Sequence, residues 1–336
     1  MKKIYFIIFT LFYVQANAQL WPNYGGERAG LSALSFLKND LNPRSKAMGG
    51  ANVATDGNVY STLTNPAGLS DVNGNSYALS HLFLNAGVNQ SMAIGAFRLK
   101  DKVSHLGVSI NSLNSGAMEE RTEFQPLGTG REIYLSNLAM GVTYTRKFST
   151  LFSAGITLKY VYEGIAEFSN HTATVDVGFL YNTDFKDLKF AAMIQNFGGN
   201  SSLSNDDQIL PVLFNRDANV ALDPNTVPSI FKLGASIKPL KTEKHSLMLS
   251  AELQHPNDNA ENYRLGAEYQ IMDLFFVRAG YQINVKDQNY PTAGFGYRIN
   301  LSGVPLYIDY AMAPTNFMGI QNCIGLRIDF LNESRD

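Results

Sequence analysis

Along most of this chain apolar and polar positions alternate with a period of two, the spacing of strands whose successive side chains face opposite ways. Near the C-terminus Ile324, Leu326, Ile328 and Phe330 are separated by Gly325, Arg327 and Asp329. Upstream, Phe295, Tyr297, Ile299 and Leu301 alternate with Gly294, Gly296, Arg298 and Asn300. Tyr263, Leu265, Ala267 and Tyr269 alternate with Arg264, Gly266, Glu268 and Gln270, and Phe231, Leu233, Ala235 and Ile237 with Lys232, Gly234, Ser236 and Lys238. The pattern predicts about fourteen strands: 76–85, 88–99, 103–113, 131–147, 150–164, 169–184, 187–198, 230–241, 245–255, 261–271, 274–285, 291–301, 303–312 and 320–330. Most exceed the average soluble strand of about five or six residues and match the roughly 9–11 of a tilted membrane strand.

Two all-β architectures share this pattern, a soluble sandwich and a transmembrane antiparallel β-barrel. The gaps separate them. After even-numbered runs they are tight, as at 100–102, 149, 185–186, 242–244, 272–273 and 302; the long ones, 114–130 and 199–229 above all, follow odd-numbered runs. Short periplasmic turns on one rim and long extracellular loops on the other belong to outer-membrane barrels. Charges agree. Lys159, Asp176, Lys232, Glu252, Arg264, Glu268, Arg278, Arg298, Asp309 and Arg327 fall on the less apolar parity of their runs, as does Asp329, predicting a lumen lined by both signs. A barrel must send them inward, because a charge facing lipid near the midplane costs about 2–4 kcal/mol. Of the 17 tyrosines and 21 phenylalanines many sit near run ends, where aromatic girdles belong.

The start of the chain fixes a compartment. Lys2 and Lys3 precede the apolar run Ile4–Val14, and Ala16-Asn17-Ala18 supplies a small-residue cleavage site. This predicts a signal peptide over 1–18, hence export. The net charge of −2 suggests no nucleic-acid partner. The single cysteine, Cys323, excludes an internal disulfide and reads as a small residue at a strand entrance.

A barrel of about fourteen strands has a lumen wider than its wall side chains fill, so it carries water, ligand or a plug. Residues 19–75 lack sustained alternation and place Leu31, Leu34, Phe36 and Leu37 at helical spacing, so they are the expected plug, or hatch. The barrel proper is expected over 76–330, with a tail at 331–336. Met48-Gly49-Gly50-Ala51 predicts a tight bend where backbones approach closely. In Asn65-Pro66-Ala67-Gly68, asparagine caps a helix start, proline pre-sets its first torsion, and Gly68 leaves no side chain against a neighbouring wall.

Phe36-Leu37, Ala47-Met48-Gly49-Gly50-Ala51, Val53-Ala54 and Asn65-Pro66-Ala67-Gly68-Leu69, in this order and spacing, resemble the N-terminal signature of the PorV/PorQ family, part of the broader FadL-like group of outer-membrane proteins. Beyond that stretch the resemblance is one of architecture. It implies a fourteen-stranded barrel with an N-terminal hatch, in the outer membrane of a Bacteroidetes-type Gram-negative bacterium. For the best-known members it implies the type IX secretion system. There the barrel docks to the large translocon and receives secreted proteins through their C-terminal signal domains.

Enzyme chemistry finds no motif. His81, His105, His171, His245 and His255 are scattered without ligand spacing and read as girdle or rim residues; no metal or cofactor is expected. No nucleophile elbow appears, and the Gly294-Phe295-Gly296 of "GFGYR" lies within a strand. Arg327 and Asp329 read as a lumen pair. Ile209, Leu210, Pro211, Val212, Leu213 and Phe214, an apolar hexad in the longest loop, are the candidate contact with a partner or substrate. The hexad could fold into the lumen, dip into the outer leaflet, or insert into a partner. The first reading is thus a non-enzymatic docking barrel of the secretion pathway; the alternative is a transporter taking a lipid-like or other hydrophobic small molecule in beside 199–229 and out past 47–69, and a structural outer-membrane protein comes third.

Overall fold

The inward parity of each strand holds what lipid would not tolerate, and the computed structural model shows where those side chains go. It describes residues 32–55, 57–166, 168–204, 224–286 and 288–331. The first strands are β1 (Gly74–Leu84), β2 (Val88–Arg98), β3 (Ser104–Asn114), β4 (Met118–Glu119) and β5 (Glu132–Ile133). They are followed by β6 (Leu135–Lys147), β7 (Phe152–Ile165), β8 (Phe168–Asn182), β9 (Lys189–Gly198), β10 (Ile230–Lys241) and β11 (His245–Pro256). The last are β12 (Asn262–Ile271), β13 (Phe275–Ile283), β14 (Thr292–Leu301), β15 (Val304–Pro314) and β16 (Ile320–Leu331).

Fourteen of these strands form one closed antiparallel barrel; β4 and β5 form a separate ribbon. Consecutive barrel strands pair, β3 pairs with β6 across the ribbon, and β1 closes on β16 from Gly74↔Leu331 to Phe83↔Asn322. Closure leaves no unpaired strand edge, the condition for a sheet to sit in hydrocarbon. Burial runs opposite to that of a soluble sandwich. On adjoining β7 and β8, Leu158 is 60% exposed and Thr157 and Asp176 are fully buried. Tyr77, Leu79, Val142, Ile156, Leu265, Val277, Leu326 and Phe330 likewise face outward.

Every predicted run lies on a strand, with ends shifted by at most two residues except in one run. The run 131–147 divides at Tyr134 into β5, which pairs with β4 in the loop, and β6 in the wall. One rim, the turn rim, carries only short connections; the other carries the connections 115–134, 199–229, 257–261, 284–291 and 315–319 together with the tight β1–β2 and β7–β8 hairpins. Aromatic pairs gather at the turn rim, including Tyr77–Phe97 at 5.7 Å, Tyr77–Phe330 at 5.9 Å and Phe275–Tyr297 at 4.8 Å between centroids.

Within the barrel, residues 32–73 form short turns of helix rather than strand. A 3-10 turn covers Ser35–Lys38, α1 covers Pro43–Ala47, α2 covers Ser61–Thr64, and a second 3-10 turn covers Pro66–Asp71. Residues 1–31, the expected leader included, and 332–336 lie outside the described residues, as do the loop residues 209–214.

Candidate functional site

Two Asn-Pro pairs start the inner helical turns. The Asn65 Oδ1 accepts the Ala67 N–H at 3.1 Å with Pro66 in the first position, and the Asn42 Oδ1 accepts the Arg44 N–H at 3.1 Å with Pro43 there. Between them, Gly49 (φ 66°) and Gly50 (φ 81°) adopt the left-handed backbone that turns the chain after α1.

The inner segment is tied to the wall through its own carbonyls, which inward hydroxyls satisfy. Thr145 donates to Pro66 O (2.6 Å), Ser153 to Ala67 O (3.2 Å), Ser236 to Ala54 O (2.6 Å), Ser250 to Ala51 O (2.7 Å) and Thr292 to Ala47 O (2.9 Å). Wall glycines allow this approach. A β-carbon on Gly155 would stand 2.6 Å from Pro66 C and 2.8 Å from Ala67 N, and one on Gly280 would overlap Met48 and Gly49. Gly68 differs from its expected role. Its missing side chain makes room for Ser61 and Gly57 of the same segment, not for the wall.

His105 also departs from the expected rim position. It is buried on β3, where its Nε2 donates to Val72 O at 2.8 Å; His171 and His255 are exposed, and His81 and His245 are half-buried. Cys323 is buried facing inward, its Sγ 3.7 Å from Leu41 O.

The inward charges fall into separate groups. Glu268 lies between two arginines: Arg44 of α1 donates to it from Nε and Nη2 at 2.8 Å each, and Arg278 from Nε at 2.6 Å. Arg278 Nη1 then reaches Asp309 Oδ1 at 2.5 Å, so one ionic chain runs from the inner segment across β12 and β13 to β15. Arg327 Nε lies 3.3 Å from Asp329 Oδ2, with its guanidinium 3.7 Å from the Tyr307 ring centroid. Arg298, at the turn-rim end of β14, pairs with Asp273 of the adjacent turn. On the opposite wall, Lys159 meets Asp176 at 2.7 Å where the β8–β9 register shifts, and Asp176 also accepts the Asn196 N–H at 2.7 Å.

Lys232 and Arg264, with Glu252 behind them accepting the Asn52 N–H, line a cavity of about 220 Å³ on the long-loop side of the inner segment. Its floor is Leu37 to Asn42 with Ser45, Gly50 and Asn52; its walls come from β3, β6, β7, β9, β10, β11 and β12; residues 258–260 and 284–285 rim it. The lining mixes amide and charged side chains with apolar ones, among them Leu37, Leu41, Leu63, Ile230 and Val285, in nearly equal measure. Beside it, an apolar cluster joins Leu34, Phe36 and Leu41 to inward Leu82, Met92, Ile94 and Leu113. Among the described residues no group of three or more His, Cys, Asp or Glu is placed to hold a metal ion.

Arg44, Asp40 and Lys38 were not singled out by the sequence reading, nor were the wall glycines. For Arg44 a pointer existed: Asn42-Pro43-Arg44 repeats the cap of Asn65-Pro66-Ala67. The glycines carry no local cue, since their partners lie more than a hundred residues away for Gly178 and Gly280.

With this geometry in view, the fold can be placed. It is that of the FadL-like outer-membrane barrels. The Ralstonia pickettii toluene transporter TbuX is 13% identical, with a TM-score of 0.55 over 85% of this chain and 96% of that one. The Pseudomonas putida toluene transporter TodX gives 13% and 0.54 over 85% and 96%, and a Pseudomonas aeruginosa FadL homologue 11% and 0.56 over 91% and 100%. At such identities the likeness concerns the fold. No protein-family profile matches the chain, and no curated protein sequence matches it either.

Proposed function

We propose that this chain is a non-enzymatic transporter of small molecules across the outer membrane of a Gram-negative bacterium, with residues 32–73 serving as its hatch. The observation that carries the reading is the cavity: a partly open space inside a closed barrel, facing the long-loop rim and floored by a segment that fills the turn side. The two toluene transporters and the FadL homologue that share this fold support it. Proteoliposome swelling tests it. Solute entry should exceed that of empty vesicles and rise when the Arg44–Glu268 tie is cut by Arg44→Ala; entry equal to empty vesicles in both cases contradicts it.

A second reading, docking in a type IX secretion system of a Bacteroidetes-type bacterium, is favoured by exposed apolar residues on the long-loop rim. Phe124, Leu127 and Phe317 are 93%, 91% and 88% exposed. Their position beyond the lipid-facing wall suits a protein partner, a translocon or a C-terminal signal domain. Affinity purification in mild detergent separates the two. A much larger co-purifying partner, lost on deletion of 209–214, supports docking; recovery of the barrel alone counts against it.

A further inference from the structure

The polar half of the cavity lining does not suit a hydrocarbon. Covering unpaired polar groups with an apolar ligand costs roughly 1–3 kcal/mol for each group left without a partner. Four cationic side chains line the space, Lys38, Lys159, Lys232 and Arg264, and two of them are satisfied. Lys38 meets Asp258 at 2.6 Å and Lys159 meets Asp176 at 2.7 Å.

Lys232 and Arg264 are different. Among the described residues neither has a carboxylate at ion-pair distance, and Lys232 Nζ has no hydrogen-bond acceptor. Arg264 spends one N–H, donating from Nε to Asn262 Oδ1 at 3.1 Å, and lays its guanidinium over Gly50, where a β-carbon would sit. Its remaining N–H groups are uncommitted. The two cations feel one another's field, and the acids that act on both are Glu252 and Asp40.

Those acids have their oxygens engaged elsewhere. Glu252 Oε2 accepts the Asn52 and Val53 N–H groups at 2.9 Å each, and Oε1 accepts Gln254 Nε2 at 2.6 Å. Asp40 accepts the Asn42 N–H at 3.1 Å and the Ser45 hydroxyl. What remains is a set of donors without acceptors: an ammonium and a planar guanidinium facing a wet pocket. That donor set fits the oxygens of a carboxylate or phosphate, which a guanidinium can grip with parallel N–H groups. About 220 Å³ is roughly seven waters' worth at about 30 Å³ each, so the occupant is small.

We propose that the cavity binds a small hydrophilic oxyanion, a carboxylate- or phosphate-bearing solute, through Lys232 and Arg264. The proposal names the cargo class of the transport reading and in that respect rests on it.

The test titrates the full chain in detergent with inorganic phosphate, succinate and the neutral polyol erythritol by calorimetry, then follows the same solutes in the swelling assay. Phosphate or succinate should bind, and erythritol should not. Lys232→Met and Arg264→Met should each weaken anion binding about tenfold or more, the effect of losing one charge-assisted hydrogen bond, while Lys232→Arg retains most of it. A heat-dependent gel shift shows which variants have folded, and Lys232→Arg keeps the test decisive if a methionine variant has not. No anion binding by the wild type, or equal binding by the double methionine variant, overturns the proposal. If erythritol enters vesicles while no anion binds, the cargo assignment fails and the transport reading stands. If an anion binds through Lys232 but no solute crosses, the site stands and the transport reading fails.

Discussion

The Asn65 side chain occupies the place where Gly178 lacks a β-carbon, so the Asn65-Pro66 corner of the inner segment is seated against β8 by the absence of a side chain on the wall. From that seat Asn65 caps the 3-10 turn through Oδ1, and its Nδ2 donates to Val53 O at 2.8 Å and Phe179 O at 3.3 Å. One amide thus fixes a helix start, a loop of the same segment and the barrel wall.

Asn65→Leu removes the cap and leaves a buried carbonyl without its donor. The cap is worth about 0.5–2 kcal/mol and the orphaned carbonyl about 1–3 kcal/mol. The expected outcome is a lower temperature for the gel shift from folded to unfolded barrel. Gly178→Val should act the same way by overpacking, at about 1–3 kcal/mol. Unchanged transitions in both variants would dissolve the proposed seat.

Glu268→Leu removes the carboxylate that Arg44 and Arg278 share, leaving Arg278 with Asp309 alone, and should cost about 3–5 kcal/mol, the penalty for breaking a buried pair from one side. Replacing Arg44, Glu268, Arg278 and Asp309 together by methionine, so that no member of the chain is left charged, should recover much of that loss. Urea unfolding followed by tyrosine fluorescence distinguishes the cases: a fourfold variant no better than Glu268→Leu would mean that the chain of charges is not the cause.

Cys323 is the only cysteine, and the inner segment covers it through Leu41. A water-soluble maleimide should leave it unmodified in the folded protein and label it after boiling. Rapid labelling of the folded state would place this face of β16 in open solvent.

The turn 99–103 carries a pH dependence. Asp101 has its carboxyl held below the usual carboxylate range, first by the Ser104 hydroxyl and then by the Ser104 and Val103 N–H groups. A depressed carboxyl stabilises the turn above its ordinary value of 3.8 and loses that contribution as pH falls through the lower folded value. Amide exchange at Val103 and Ser104, corrected for intrinsic pH dependence, should accelerate in that acid window and not in Asp101→Asn. Equal pH profiles would refute it.

The wall was legible because one chemical rule acts on every strand: alternate residues must suit lipid and lumen in turn. Ile324, Leu326 and Phe330 against Gly325, Arg327 and Asp329 need no tertiary knowledge to read. The division at Tyr134 was hidden, since β5 alternates as β6 does and only its pairing with β4 takes it out of the wall. The corner at Asn65-Pro66 was legible as a cap. Its neighbours were not, because the fit of Gly155, Gly178 and Gly280 depends on which strands close together. His105 misled for a related reason: a lone histidine on a strand shows nothing of the Val72 carbonyl that folds over it. Lys232, Arg264 and Glu252 were readable as inward charges, but their division into satisfied and unsatisfied groups depends on Asp40 and Asn52 arriving from the inner segment.

The central claim is that residues 41–72 pack within the barrel as firmly as its wall. Hydrogen–deuterium exchange of the full chain in lipid nanodiscs measures this directly. The structure predicts that the amides of Asn52, Val53, Ala67 and Gly68, each hydrogen-bonded or buried against the wall, exchange as slowly as those of β7 and β12. Exchange at the rate of the exposed 115–134 loop would contradict it.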